Sequence, residues 1–441
     1  MSVNNKISLI VGITLVTQGC FHEETDSTQN TSTNQSITSE IVTDIKAVAY
    51  PYHLENGNRL VSGQGDLPNL TFQDISLPSS VVWIAALADG NQSIWSAVLK
   101  NGDVKAFRVG NGNVEEIDIS PSQVNNAMPP TLVLQNDGAL KLANNFEDGS
   151  QFTGPVILDN STGQMAYVAD NGDVVLKTGT NEQRLAVNAL PYARLLVDEN
   201  KRLLVLTEPT SRYDHLAVLG SAFKHASSIT IINTKTTFEV DSTITISAPD
   251  VIEGNGLIWV DVNNDGLNEI ITTLANSTEG GRIVVFNEDG TEYGSSTAIG
   301  INHRWRHQIA VAPYKDVNEL SLVSVYIPHI TPHIEFFRLD DESITITNKS
   351  ISYSSHLFTG INIDMSITGD FDNDSQIEVL LVKSGSRNEI AAYSFSGTDI
   401  VQDWTLPLSS AITSNVAATT LTDGKIAYGV GQGSILRLWH P

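Results

Sequence analysis

From about residue 45 onward the chain is a succession of short runs in which apolar and polar residues alternate, each cut off by turn-forming residues. The stretch SIWSAVLKNGDVKAFRV reads as two strands joined at Asn101-Gly102, and RIVVFNEDGTEYG turns at Asp289-Gly290. Asn-Gly and Asp-Gly accept the positive φ angles that two-residue hairpins need. Hardly any stretch sustains the spacing of an amphipathic helix. The pattern predicts an all-β chain.

The turns also recur at longer range. An apolar run, an acidic turn and a second apolar run appear near Asp89, Asp137, Asp198, Asp265, Asp316, Asp372 and Asp423. The repeat of roughly 55 residues is the size of a four-stranded unit, one blade of a β-propeller. A lone blade leaves its edges and one face open, whereas a ring of blades covers them. The fold expected is therefore a seven-bladed β-propeller over 46–441, and a further hairpin at Asp170-Asn171-Gly172-Asp173 leaves eight blades possible. A two-domain β-sandwich is the competing arrangement. The last unit, VAATTLTDGKIAYGVGQGSILRLWHP, has only three strands. An N-terminal strand such as LTFQDIS would join this last blade and close the ring.

Two segments precede the repeats. Lys6 followed by the apolar run Ile7 to Val16 and then Thr17-Gln18-Gly19-Cys20 has the length of a signal-peptide core and is too short to span a bilayer. It resembles a bacterial lipoprotein signal over 1–19, with Cys20 as the lipidated residue, although Thr17 stands where leucine is usual. Phe21 after the cysteine favours the outer membrane by the same analogy. Residues 20–45, rich in Ser, Thr and Asn, bury too little apolar surface to order and read as a tether. Cys20 is the single cysteine, so no intramolecular disulfide is possible.

The chain of 441 residues carries 25 Lys+Arg against 50 Asp+Glu, a net charge of -25. That excess repels phosphate backbones and argues against a nucleic-acid partner. Part of it is concentrated in loops. DVNNDGLNE places oxygen donors at Asp261, Asn263, Asp265, the Leu267 carbonyl and Glu269. DFDNDSQIE repeats the layout with Asp370, Asp372, Asp374, the Gln376 carbonyl and Glu378. Alternate oxygens on a tight loop suit the high coordination number of Ca²⁺. An EF-hand would need its last acid at the twelfth place and a helix after it, and here β-type runs follow. The pattern resembles the FG-GAP or VCBS repeats of integrin-α-like propellers. That resemblance implies Ca²⁺ held between the first and second strands of a blade, in a structural role. In the second loop Ser375 replaces the glycine.

Seven of the ten histidines lie between His215 and His356. With their neighbours they give the candidate ligand residues Arg212, Tyr213, His215, Arg304, Trp305, Arg306, His307, His329, His333 and His356. In blade order these fall before first strands or after second strands, on the face opposite the acidic loops, over the third, fifth and sixth repeats. Arginine forks and aromatic rings suit an anionic or glycan ligand. The first expectation is a calcium-stabilised cell-envelope lipoprotein, a binding or scaffold module for an anionic glycan or an envelope protein. An enzyme reading, a lyase or hydrolase of acidic polysaccharide, would use Tyr213, His215, Arg304 and His307. A third is a structural subunit of an envelope assembly.

Overall fold

The computed structural model describes residues 42–144, 146–215, 223–301, 304–339, 344–357 and 362–441. The expected signal peptide, Cys20 and nearly all of the expected tether lie outside the described residues. Every regular element described is a β-strand.

The strands form antiparallel units in chain order. Val81–Asp89, Gln92–Leu99, Val104–Gly110 and Asn113–Ile117 make the first four-stranded sheet. Thr131–Gln135 and Leu140–Ala143 follow, completed by Ile45–Ala49 from far upstream. The unit Val156–Asp159 to Asn181–Ala186 comes next. Units beginning at Leu196–Val197 and Ile258–Val260 share one sheet through the short strand Val251–Ile252. Two more begin at Arg306–Asp316 and Ile367–Asp370. The last, Val416–Thr420 to Ile435–Trp439, gains its fourth strand from Phe72–Ser76, paired antiparallel from Phe72 with Trp439 to Ser76 with Ile435. This is the segment that LTFQDIS predicts.

The apolar runs explain which strand goes where. Inner strands such as Glu269–Asn276 and Ile367–Asp370 are buried along their whole length. Fourth strands such as Asn113–Ile117 and Asn181–Ala186 are largely exposed. Charged side chains there discourage further pairing at the open edge. Six of the seven acidic turns join the first two strands of their units, and the turn at Asp137 joins Thr131–Gln135, which pairs with Ile45–Ala49 on its other side, to Leu140–Ala143. Among the described residues the strands make eight such antiparallel units, one more than the acidic turns mark. The unit from Val156 turns at Asp159–Gln164 through Asn-Ser-Thr-Gly, where Asp159 accepts bonds from Ser161 N and Thr162 N at 3.0 and 2.7 Å.

What joins the units is the segment Tyr50–Leu67, which runs past the first strands. Ile157 N donates to the Tyr50 hydroxyl at 3.1 Å. Val197 N reaches Glu55 O and Trp259 N reaches Asn56 O, both at 3.0 Å. The Asn58 amide bonds both Val311 N and Val311 O. Thr368 N donates to Arg59 O, and Leu60–Gln64 then pairs parallel with Ile367–Asp370. Gln64 N and Leu67 N finish on Gly424 O and Phe371 O. The approach at Gly57 excludes a side chain: φ is +81° and a Cβ would meet Leu257 O at 2.2 Å. Asn415, fully buried, completes the set by bonding Ile84 N, Ile84 O and Pro51 O.

Asn415→Ala should lower unfolding free energy by about 2–4 kcal/mol, because it strands several buried backbone groups at once. Urea denaturation measures this, and a loss below about 0.5 kcal/mol would contradict the role given to Asn415.

Candidate functional site

The first strands separate two chemistries. In Ile367–Asp370, Asp364 precedes the start and Asp370 stands at the end. In Arg306–Asp316, His307 lies at the start and the acidic turn at the end. Imidazoles and acidic loops thus occupy opposite ends of these strands.

At the imidazole end, side chains from several units converge. His307 enters with its strand, His356 follows the short strand Tyr353–Ser354, and His329 sits in the turn between Glu319–Tyr326 and His333–Arg338. Arg59 Nη1 lies 3.4 Å from His307 Nε2, His307 Nδ1 2.6 Å from Ser355 Oγ, Ser355 Oγ 3.0 Å from His356 Nδ1, and His356 Nε2 3.1 Å from His329 Nε2. Arginine can only donate, so it fixes the direction of the relay. His307 accepts at Nε2 and donates from Nδ1 to Ser355, which donates to His356, which donates from Nε2 to His329. Burial drives the pKa values of His307 and His356 well below the ordinary histidine range and takes His329 down to about 4. Trp305, itself buried, stacks on His307 and meets His356 edge-on.

Behind the relay, Asp364 receives both Arg59, at 2.9 Å, and Arg194. Arg194 also lies over the rings of Tyr52 and Trp83. In front of it is a cleft of about 380 Å³ whose walls include His329, His356, Lys383 and Arg387. Beside it, His215 Nδ1 pairs with the buried carboxylate of Glu253, and the His215 charge acts on His329. Tyr213 is buried against His215 and His225.

Other candidates are spent on structure. Arg306 is buried in an ion pair with Glu335 at 2.8 Å and also bonds Thr297 O, so it is a core cation rather than a ligand fork. Arg212 pins a turn through Asp250 O and Ile246 O. Arg304 bonds Ile299 O and the Tyr326 hydroxyl, and His333 Nδ1 bonds Thr331 O. His307 has both ring nitrogens engaged and is 1% exposed. None of Tyr213, His215, Arg304 and His307 lines the cleft. The strand order predicts the place of the cluster, but Lys383 and Arg387 carry no motif. Each is a single cation, one at the end of Glu378–Lys383 and one in the following turn.

At the acidic end, Asp370, Asp372, Asp374 and Glu378 each offer an oxygen, all within 4.8 Å of one another. Burial first, then the neighbouring carboxylates, push the Glu378 pKa up to about 9. Trp404 Nε1 and Gln64 Nε2 each donate one bond, to Asp372 and Asp370, which leaves much of that repulsion standing. Such a set fits a hard divalent cation. Ser375 supplies the left-handed turn at φ 71°, the conformation Gly266 takes in the other loop. In that loop the Asn263 amide nitrogen lies 3.2 Å from Asp265 and 3.3 Å from Glu269, partly satisfying the acids, while Asp261 accepts from Asn264 N and Gly266 N. Burial, followed by Asp265 and Asp261, raises Glu269 as well. The loop with the weaker sequence match is the more convergent one.

No family model matches the chain, and no curated protein matches it. Solved structures do. It is similar to the quinohemoprotein alcohol dehydrogenase from Comamonas testosteroni at 10% identity and a TM-score of 0.51, over 87% of this chain and 79% of that one. It is also similar to Sqt1 of Saccharomyces cerevisiae at 10% identity and a TM-score of 0.50, over 87% of this chain and 100% of that one. The fold is that of a β-propeller. At this identity the likeness is one of fold alone.

Acid should destabilise the propeller through its buried imidazoles. Burial, then the charge of His215, lowers His225 to about 4, so its neutral form stabilises the fold above the unfolded pKa of 6.5 and that contribution is lost as pH falls towards 4. Between pH 7 and 5, His225→Asn should therefore lose less stability than the wild type. Urea midpoints at the two pH values measure this difference, in which the carboxylate contributions cancel. Equal losses would contradict it.

Proposed function

We propose that the protein is an envelope-anchored, calcium-stabilised β-propeller that binds an anionic, glycan-type ligand at the imidazole end of its blades. The observation that carries this is the cleft walled by Lys383, Arg387, His329 and His356 on a chain of net charge -25. Two cations, Lys383 and Arg387, beside neutral imidazoles on so acidic a chain suit carboxylate or sulfate groups. Lys383 is already steadied by Glu389 at 3.1 Å and Arg387 by Ile412 O at 3.1 Å, so both are held in place for a ligand. The site assigned is accordingly narrower than the ten residues read from sequence.

The ring proposed has eight blades, the eighth being the unit from Val156, with Phe72–Ser76 as the closing strand of the last. The FG-GAP and VCBS resemblance of the two acidic loops supports Ca²⁺ in both, with the Asp370–Glu378 set the tighter. The calcium would neutralise carboxylates and brace a turn, leaving the cleft chemistry to the other end of the strands. Lipidation at Cys20 and an outer-membrane location rest on the signal-like sequence, and the binding role suits a tethered module with a broad face.

Chelation should lower the melting temperature by about 3 °C for each ion lost, taking a contribution of about 2.7 kcal/mol per bound ion. Glu378→Gln should raise the melting temperature in chelator and blunt the response to Ca²⁺. An unchanged melt on chelation removes the calcium assignment. Titration with uronate and sulfated oligosaccharides should show binding that Lys383→Ala and Arg387→Ala each weaken at least tenfold. Wild-type affinity in both variants would move the ligand elsewhere.

A further inference from the structure

We infer that His329 and His356 chelate a divalent first-row transition ion through their Nε2 atoms, with its remaining coordination positions open to the cleft. This is independent of the anionic-ligand reading, since it concerns the wall of the cleft and not its occupant.

The spacing of the two rings fits such an ion. Two imidazole nitrogens bound to one ion at about 2.0–2.1 Å stand about 2.9 Å apart at a right angle and about 3.3 Å apart at the tetrahedral angle. His329 Nε2 and His356 Nε2 are 3.1 Å apart. His356 is also supported from behind. A ligating histidine generally donates its other ring N–H to a fixed partner. His356 Nδ1 has Ser355 Oγ at 3.0 Å, and Ser355 is fully buried and anchored also by His307. On binding, the proton of His356 moves from Nε2 to Nδ1, the Ser355 hydroxyl turns from donor to acceptor towards that nitrogen, and the two imidazoles stay neutral with no net proton released.

The backbone under His329 points the same way. Ile327, two residues before it, has φ of 48°, a left-handed conformation that is unfavourable for a β-branched residue. It is held there by Ile327 N donating to Trp305 O at 2.9 Å, with Ile330 N closing the turn on Ile327 O at 3.3 Å. The turn thus carries strain and at the same time places His329 opposite His356. Both histidines line the cleft, so an ion has a path in. An ion on two imidazoles prefers nitrogen-binding metals, Zn²⁺, Ni²⁺ or Cu²⁺, over Ca²⁺.

The test uses the full chain, stripped of metal and then kept in excess Ca²⁺ so that the acidic loops are occupied. Calorimetric titration with Zn²⁺ should show one site of micromolar or tighter affinity, and electron paramagnetic resonance with one equivalent of Cu²⁺ should show coupling to two nitrogens. His329→Gln, at a partly exposed position, should weaken Zn²⁺ at least tenfold while keeping the circular dichroism melt of the wild type. His333→Gln, in the same stretch of chain, should leave the affinity unchanged. The Cu²⁺ spectrum of the wild type discriminates between the outcomes even if His356→Ala fails to fold. Absence of a Zn²⁺ site, a Cu²⁺ signal without two-nitrogen coupling, or equal affinity in His329→Gln would each overturn the inference and leave the pair as a plain N–H···N hydrogen bond. Loss of oligosaccharide binding with Zn²⁺ binding intact would overturn only the reading of the cleft's ligand.

Discussion

A blade's first strand has a row of backbone N–H and C=O groups that its own sheet does not use, and burying that row without partners costs more than the fold can absorb. In this protein many of the partners come from one stretch, Tyr50–Leu67. Its bonds to Ile157, Val197, Trp259, Val311, Thr368 and Phe371 reach first strands, or the residues at their ends, in successive units. Asn415 and Asn58 act in the same way with side-chain amides, each matching a donor and an acceptor at once. The blades therefore share a common spine as well as packing against one another.

The charged residues at the imidazole end follow from that arrangement. Arg59 belongs to the spine, and its guanidinium is drawn into the buried group with Asp364 and Arg194. Breaking such a buried group by removing one partner is costly. The same arginine orients His307 and, through Ser355, His356. The chemistry offered to the cleft is thus set by a residue that no part of the cleft touches. The opposite end works differently: loop carboxylates crowd together there and are neutralised poorly by protein groups alone.

Much of this could be read from the chain. The acidic turns mark hairpin connections because Asp with Gly or Asn builds a tight turn whatever surrounds it. The unit from Val156 is legible only through its later hairpin, Asp170-Asn171-Gly172-Asp173, because the acid of its first turn, Asp159, is followed by Asn-Ser-Thr-Gly and is capped by the Ser161 and Thr162 hydroxyls. LTFQDIS could be recognised because the last unit lacked a strand. The spine could not: Tyr50 to Gly57 has no alternation, and its partners lie on strands hundreds of residues away. The site shows the same division. Strand order locates the histidines, since order fixes which end of a strand a residue occupies. It cannot tell Arg306, which is consumed by Glu335, from Arg387, which reaches the cleft, because that depends on a carboxylate contributed by another strand.

The spine also constrains how the chain can be made. Pro51 and Asn415 meet across 364 residues, and Arg59 meets Asp364 across 305. A ribosome delivers the spine hundreds of residues before these partners, so the blades made in between wait with part of their inward rows unpaired. Contacts this remote slow folding and leave intermediates prone to aggregation.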